Sequence, residues 1–273
     1  MRWDPALYAA FSDHRSRPFF DLTGRIKHPA PRRVFDLGCG PGELTAALAR
    51  RWPDAEVIGV DSSAEMVDRA RSLEDTPPNL TFTLADVREW TPPEGTDVVV
   101  SNAVLQWVPG HQELLARWAG ALEKGAWLAF QVPGNFSAPS HVLMRSLAES
   151  GRWKNRLGTV LRHDDAVSSP EEYSRLLRGA GLRTDAWETT YQHLLAGADP
   201  VLEWVRGTGL RPVLAALSPA AAADFERAYA KLLLDAYPSE PDGTTIFPFR
   251  RIFAVGVRST PTTSPSPRTP ARQ

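Results

Sequence analysis

Through the first half of the chain, runs with the period of a strand alternate with runs with the period of a helix. In order they are RRVFDL, LTAALARRW, AEVIGVD, AEMVDRARSL, LTFTLAD, DVVVSN, HQELLARWAGAL and AWLAFQV. Short apolar runs bounded by turns read as buried strands, and the longer amphipathic runs as helices that cover them. Parallel strands need crossover connections, and helices of this length supply them. The expected fold class is therefore α/β: a doubly wound, mostly parallel sheet with helices on both faces. The order breaks after Pro133. Residues 136–170 and 197–240 read as mostly helical insertions, separated by a helix–strand pair, EEYSRLLRGAG and LRTDAWETTY. RRIFAVGV, after FPF, offers a last strand, and from Ser259 onward Pro, Thr and Ser follow in quick succession, as in a disordered tail. One domain over residues 1–258 is expected: a helical lid at 1–30, a ligand-binding core at 31–135, the helical cover from the two insertions, and then the tail at 259–273.

The stretch VFDLGCGPGE, Val34 to Glu43, sets three glycines in five residues between the first strand and the first helix. Gly38, Gly40 and Gly42 can take positive φ and let a ligand approach bare backbone, which a plain turn does not need. An acid precedes them, Asp36. The second strand ends in Asp61 and the third in Asp86. Each acid alone also reads as a strand-end or cap residue. Together they stand at successive strand ends, on the edge where open α/β sheets bind ligands. Such turns serve NAD, FAD, phosphates and S-adenosylmethionine alike, although GCGPG lacks the GxGxxG spacing that a pyrophosphate prefers.

Charge and cysteine usage narrow the partners. With 31 basic and 32 acidic side chains mixed along the sequence, the chain lacks the basic surface of a nucleic-acid binder. Cys39, inside the glycine turn, is the only cysteine, so no internal disulfide forms and no Cys/His cluster suggests a metal. The start, MRWDPALYAAF, has no signal-peptide pattern, and no apolar run is long enough for a bilayer. A cytoplasmic protein with a small-molecule ligand, and neither membrane nor obligate protein partner, is expected.

DLGCGPG, VIGVDSS, LADVREW and DVVVSNAVLQWV together resemble the class I S-adenosylmethionine-dependent methyltransferases. The resemblance implies a Rossmann-like, seven-stranded sheet whose last strand, RRIFAVGV, runs antiparallel, and S-adenosyl-L-methionine as cofactor. It implies cofactor contacts from Asp36, Gly38, Cys39, Gly40, Gly42, Asp61, Ser62, Met66, Asp86, Val87 and Asn102. Met66 reads equally well as a core residue of its helix. A dinucleotide-dependent oxidoreductase and a non-catalytic S-adenosylmethionine-binding protein stay open as alternatives.

The acceptor side is read from the loop after the fourth strand. SNAVLQWV is not the NPPY-like loop of nucleic-acid amine methyltransferases, and Cys39 lies in the wrong place for a cytosine C5 nucleophile. SNAVLQW is similar to the loop of carboxyl methyltransferases, which puts Trp107 where an indole N–H holds a carboxylate; the other role for Trp107 is a hydrophobic anchor. WDPALYAAFSDHRSRP, QVPGNFSAPSHVLMR, WETTYQHLL, EWVRGTGLRP and FPFRRIF extend the likeness over residues 2–258, to the trans-aconitate 2-methyltransferases. That resemblance implies an enzyme forming a monomethyl ester of a small tricarboxylate. Candidate substrate residues are Arg15, Arg17, Trp107, Gln131, Asn135, His141, Tyr191, His193, Trp204, Arg211 and Arg251. Arginine suits carboxylates because its planar fork matches them. A carboxylate with a pKa of about 4 is already ionised at neutral pH, so no catalytic base is assigned. Another small carboxylate remains the alternative acceptor.

Overall fold

A computed structural model of the chain describes residues 12–157, 160–161 and 166–259, with side chains from Ser16 onward. The first eleven residues of the expected lid, the side chain of Arg15 and the tail from residue 260 lie outside the described residues. The helix α1 (Ser12–Thr23) leads into β1 (Arg33–Leu37), α2 (Glu43–Arg51), β2 (Glu56–Asp61), α3 (Ala64–Arg71), β3 (Leu80–Leu84), β4 (Val98–Asn102), α4 (His111–Ala121) and β5 (Trp127–Pro133). A single 3-10 turn, Leu105–Trp107, lies between β4 and α4. The cover follows: α5 (Pro139–Ala148), a short α6 (Lys154–Leu157) and α7 (Pro170–Gly179). After β6 (Leu182–Ala196) come α8 (Pro200–Arg206), α9 (Arg211–Ala216) and α10 (Pro219–Ala236), and β7 (Thr244–Arg258) ends the described chain.

The seven strands form one sheet in the order β3-β2-β1-β4-β5-β7-β6. The first five are parallel, and β7 runs antiparallel between β5 and β6. Neighbouring residues of the central strands point to opposite faces, as strand geometry requires. Val34, Val57 and Val98 pack on one side with Phe19 and Leu22 of α1 and Leu48 of α2. Phe35, Ile58 and Val99 pack on the other with Trp118 of α4 and Tyr173 of α7. Apolar residues on both faces are what a sheet buried between two helix layers demands.

A third core, separate from the sheet's two layers, lies in the cover. The helices α5, α6, α8 and α10 contribute Met144, Leu157, Val205 and Phe225, packed on Phe247 and Phe249 of β7. Its existence depends on the length of the last two strands. The sequence suggested strands over LRTDAWETTY and RRIFAVGV; β6 and β7 each run for 15 residues and stay paired from Leu182↔Arg258 to Ala196↔Thr244. The alternation continues: Tyr191, His193 and Leu195 are buried while Gln192, Leu194 and Ala196 are exposed. The added length carries the strand pair beyond β5, whose last partner is Arg251, and makes it a floor for the cover helices. No helix among the described residues is long and apolar enough to cross a membrane.

Candidate active site

The glycine turn is tied to its neighbours by backbone bonds. The N–H groups of Gly38 and Cys39 both donate to the Val60 carbonyl, at 2.7 and 3.0 Å. Gly38 has φ +77°, and a Cβ added there would sit 2.1 Å from Val104 Cγ2. At Gly42, φ +90°, a Cβ would sit 2.6 Å from Phe82 Cζ. Packing alone therefore requires these two glycines. Gly40, φ +55°, has nothing within 4 Å of such a Cβ, so its backbone faces open space.

Asp61 bridges two segments: one carboxylate oxygen accepts the Gly40 N–H and the other the Ser63 N–H, both at 2.9 Å. Asp36 is buried and accepts a hydrogen bond from the Thr45 hydroxyl at 2.6 Å. Burial pushes its carboxyl up to about 6, the nearby Asp61 adds to the rise, and Thr45 opposes it. A buried carboxylate held this way favours a cationic neighbour. At the end of β4, Asn102 Oδ1 is buried with no donor among the described residues. Ser62 is exposed beside Asp61, while Met66 and Val87 are buried next to the edge. The Cys39 thiol is buried and its pKa raised by that burial, which leaves it a packing group. Asp86 differs from the other two acids. Arg88 grips both its oxygens, with Nη2 at 2.5 Å from Oδ2, and holds the carboxyl below its usual range. The structure thus displays Asp86 as half of an ion pair.

Beyond Asn102 a cavity of about 640 Å³ opens between the ends of β4 and β5 and the cover. Five of the residues expected for an acceptor line it: Trp107, His141, Trp204, Arg211 and Arg251. Trp107 stands at the mouth, 46% exposed, on its 3-10 turn. That turn follows Ala103, which holds φ +58°, a left-handed conformation that costs a residue with a Cβ about 1 kcal/mol or more. The Ala103 N–H donates to the Gln131 carbonyl at 2.9 Å, and its own carbonyl accepts from Gln106 Nε2 at 2.6 Å.

Other expected residues serve as supports. Gln131 lies beneath the cavity wall, where its Oε1 accepts from Arg251 Nη1 at 3.2 Å. The Asn135 amide is committed to the backbone of β7, donating to the Arg250 carbonyl and accepting its N–H. His193 is buried behind Trp204, the ring centroids 4.6 Å apart. The Tyr191 hydroxyl donates to Asp21 at 2.6 Å, and Arg17 lies over the Tyr191 ring, largely exposed. Neither Arg17 nor Tyr191 lines the cavity. Gln106, Arg145 and Thr208 also line it, although they are not among the residues expected from the sequence. Arg145 had a usable signal: it follows His141 by one helical turn, on the same helix face.

An open sheet with a reversed last strand, a glycine turn after its first strand and acids along its carboxyl edge is the fold of the class I S-adenosylmethionine-dependent methyltransferases. A methyltransferase-domain family model matches residues 34–125. Solved structures share the fold: the YcgJ protein of Bacillus subtilis superposes with a TM-score of 0.56 at 18% identity, covering 91% of this chain and 99% of that one. Phosphoethanolamine N-methyltransferase 2 of Haemonchus contortus, in complex with S-adenosyl-L-methionine, gives 0.53 at 19% identity over 89% of this chain and 53% of its own. Closer in sequence is the trans-aconitate 2-methyltransferase of Rhodococcus jostii, 55% identical over 93% of this chain and 98% of that protein. The protein of the same name from Streptomyces coelicolor is 56% identical, over 93% and 86%. The chain belongs to the trans-aconitate 2-methyltransferase family. The oxidoreductase alternative falls with that membership. The cofactor of the class is S-adenosyl-L-methionine, and the edge fits it: buried acceptors at Asp36 and Asn102 suit a cationic ligand, and Gly40 leaves room for one.

Proposed function

We propose that this chain transfers the methyl group of S-adenosyl-L-methionine to a carboxylate of trans-aconitate, forming its monomethyl ester. One observation carries the reading: cationic and neutral donors from the cover and from β7 meet in a single cavity that begins at Asn102, the last residue of the cofactor edge. Asp36, Gly38, Gly40, Gly42, Asp61 and Asn102 would hold the cofactor, with Cys39, Ser62, Met66, Asp86 and Val87 around them. When bound, S-adenosylmethionine supplies a methyl group on a sulfonium, which is an electrophile. The acceptor carboxylate is ionised at neutral pH, so the protein needs no base to activate it. Trp107 directs its indole N–H to that carboxylate. Arginines of the cavity wall, Arg211 and Arg251 among them, hold the remaining carboxylates, and those remote contacts orient the reacting oxygen. Apolar walls from Trp204, Phe249 and Phe136 exclude water, which strengthens every charge interaction inside. Positioning does the catalysis, and the family's name assigns the ester to position 2. The buried, unpaired Cys39 suits a reducing compartment, the cytoplasm.

The test is a product assay. The protein is incubated with methyl-labelled S-adenosylmethionine and a panel of mono-, di- and tricarboxylates, and the esters are identified by mass spectrometry. The expected result is a monomethyl ester of trans-aconitate, formed well ahead of the cis isomer and of monocarboxylates. Equal labelling of simple monocarboxylates, or none of any acceptor, contradicts the proposal.

A further inference from the structure

Three arginines line the acceptor cavity, and each comes from a different element: Arg145 from α5, Arg211 from α9 and Arg251 from β7. None of the described lining residues is acidic. The charged side chains of the described wall are therefore all basic, in a chain whose formal charge is −1. A wall with several arginines, whose planar forks match carboxylates, distinguishes ligands by the number of carboxylates they carry.

Arg145 projects from a helix whose first turn is pinned. Its Nη1 is buried, and His141, which precedes it by one turn of α5, lines the same cavity. The start of α5 is pinned by two buried tyrosines. Ser140 N–H donates to the Tyr237 hydroxyl at 3.0 Å, and the Tyr229 hydroxyl donates to the Ser140 carbonyl at 2.7 Å. Ser140 Oγ lies 3.2 Å from His141 Nδ1 and so helps to orient that ring. A donor pair on a pinned helix loses little entropy when it takes a carboxylate.

We infer that Arg145, together with His141, holds one of the two non-reacting carboxylates and is the residue by which the site selects a tricarboxylate over a dicarboxylate of the same skeleton. This rests on the proposed methyl transfer to trans-aconitate. Arg145 does not touch the reacting oxygen; its effect is on which acceptor is bound.

Three dicarboxylates test this, since each is trans-aconitate without one of its carboxylates: itaconate, cis-glutaconate and mesaconate. Calorimetry with S-adenosylhomocysteine present gives the Kd of all four acids without turnover. For Arg145→Gln the expected result is a ten- to hundredfold weaker Kd for trans-aconitate, about the size of one charge-assisted hydrogen bond. Two of the dicarboxylates should weaken by a similar factor. The third, which lacks the carboxylate that Arg145 holds, should change by less than about twofold, the signature of a coupled pair. An equal loss for all four acids, or an unchanged Kd for trans-aconitate, overturns the inference. Should Arg145→Gln fail to fold, Arg145→Lys replaces it, with a smaller loss of the same pattern expected and an unchanged trans-aconitate Kd overturning it. Wild-type protein that binds none of the four overturns the parent reading and this one with it. Wild-type binding with a uniform loss in the variant overturns this one alone.

Discussion

The carboxyl edge of β1, β2 and β4 and the cavity beneath the cover are neighbours in space but are assembled over very different stretches of chain. The edge takes its polar groups from residues 36–102, each at the end of a strand, and the backbone organises them: Asp61 holds the Gly40 and Ser63 N–H groups, and Gly38 hangs from the Val60 carbonyl. The cavity draws on residues from Asn102 to Arg251, carried by helices and by the far end of a strand pair. Backbone geometry governs the first region. Side-chain charge on pinned elements governs the second. They should therefore fail in different ways when altered.

The largest effect is expected at Gly38. Alanine there meets both a positive φ and the Val104 side chain, which together should cost about 2–4 kcal/mol of stability in denaturant melts. Gly40→Ala keeps only the backbone cost, about 1 kcal/mol, yet should weaken S-adenosylhomocysteine binding if the bare backbone faces the ligand. Equal stability losses at the two positions would erase the distinction between a packing glycine and a ligand glycine.

Asp36 comes next. Its carboxyl titrates near 6 when folded, against an ordinary 3.8, so the folded protein binds that proton more tightly than the unfolded chain. Folding of the ligand-free protein accordingly becomes less favourable as pH rises from about 4 to about 6, and the cost persists above that. Asp36→Asn should remove the cost, about 3 kcal/mol at neutral pH, while weakening the cofactor. The melting-temperature gap between variant and wild type should open between pH 4.5 and 7.5, and a gap that stays constant argues against the assignment.

The cavity should respond through kinetics. Arg251→Ala is expected to raise the KM for trans-aconitate by roughly ten- to hundredfold, the range of a lost charge-assisted bond. Wild-type kinetics in that variant would remove the acceptor role from β7. The smallest effect is expected at Trp107. Its ring is nearly half exposed, so Trp107→Phe should leave melting temperature almost unchanged while turnover falls about tenfold with the lost donor. A fall in stability without a fall in turnover would make the ring a packing group.

The same contrast decides what could be read from the amino acids. Gly38, Gly40 and Gly42 were legible because a strand-to-helix turn with those φ values accepts few residue types, and Asp36 and Asp61 because they stand at the ends of neighbouring strands. The doubly wound, mostly parallel sheet followed from the alternation of periods, with the reversed last strand supplied by the family resemblance. The extension of β6 and β7 was not legible, because Pro248 reads as a break. It is tolerated where β7 has outrun β5, so no partner on that side needs its N–H. Within the cover, the right segments were found but not the direction of each side chain. Tyr191 and His193 share a face, yet His193 packs behind Trp204, Tyr191 turns to Asp21 of α1, and Asn135 turns to the backbone of β7. Arg145 could be paired with His141 from their spacing, but that this face of α5 looks into the cavity is fixed only by tertiary packing.

The cofactor edge and the acceptor cavity are separable sites that meet at Asn102. Calorimetric titration of S-adenosylhomocysteine into wild type, Asp61→Ala and Arg251→Ala examines this most directly. The expected result is a loss of about tenfold or more in affinity for Asp61→Ala, the size of a charged hydrogen bond, and a change of less than about twofold for Arg251→Ala. Comparable losses in both variants, or undiminished affinity in Asp61→Ala, would contradict it.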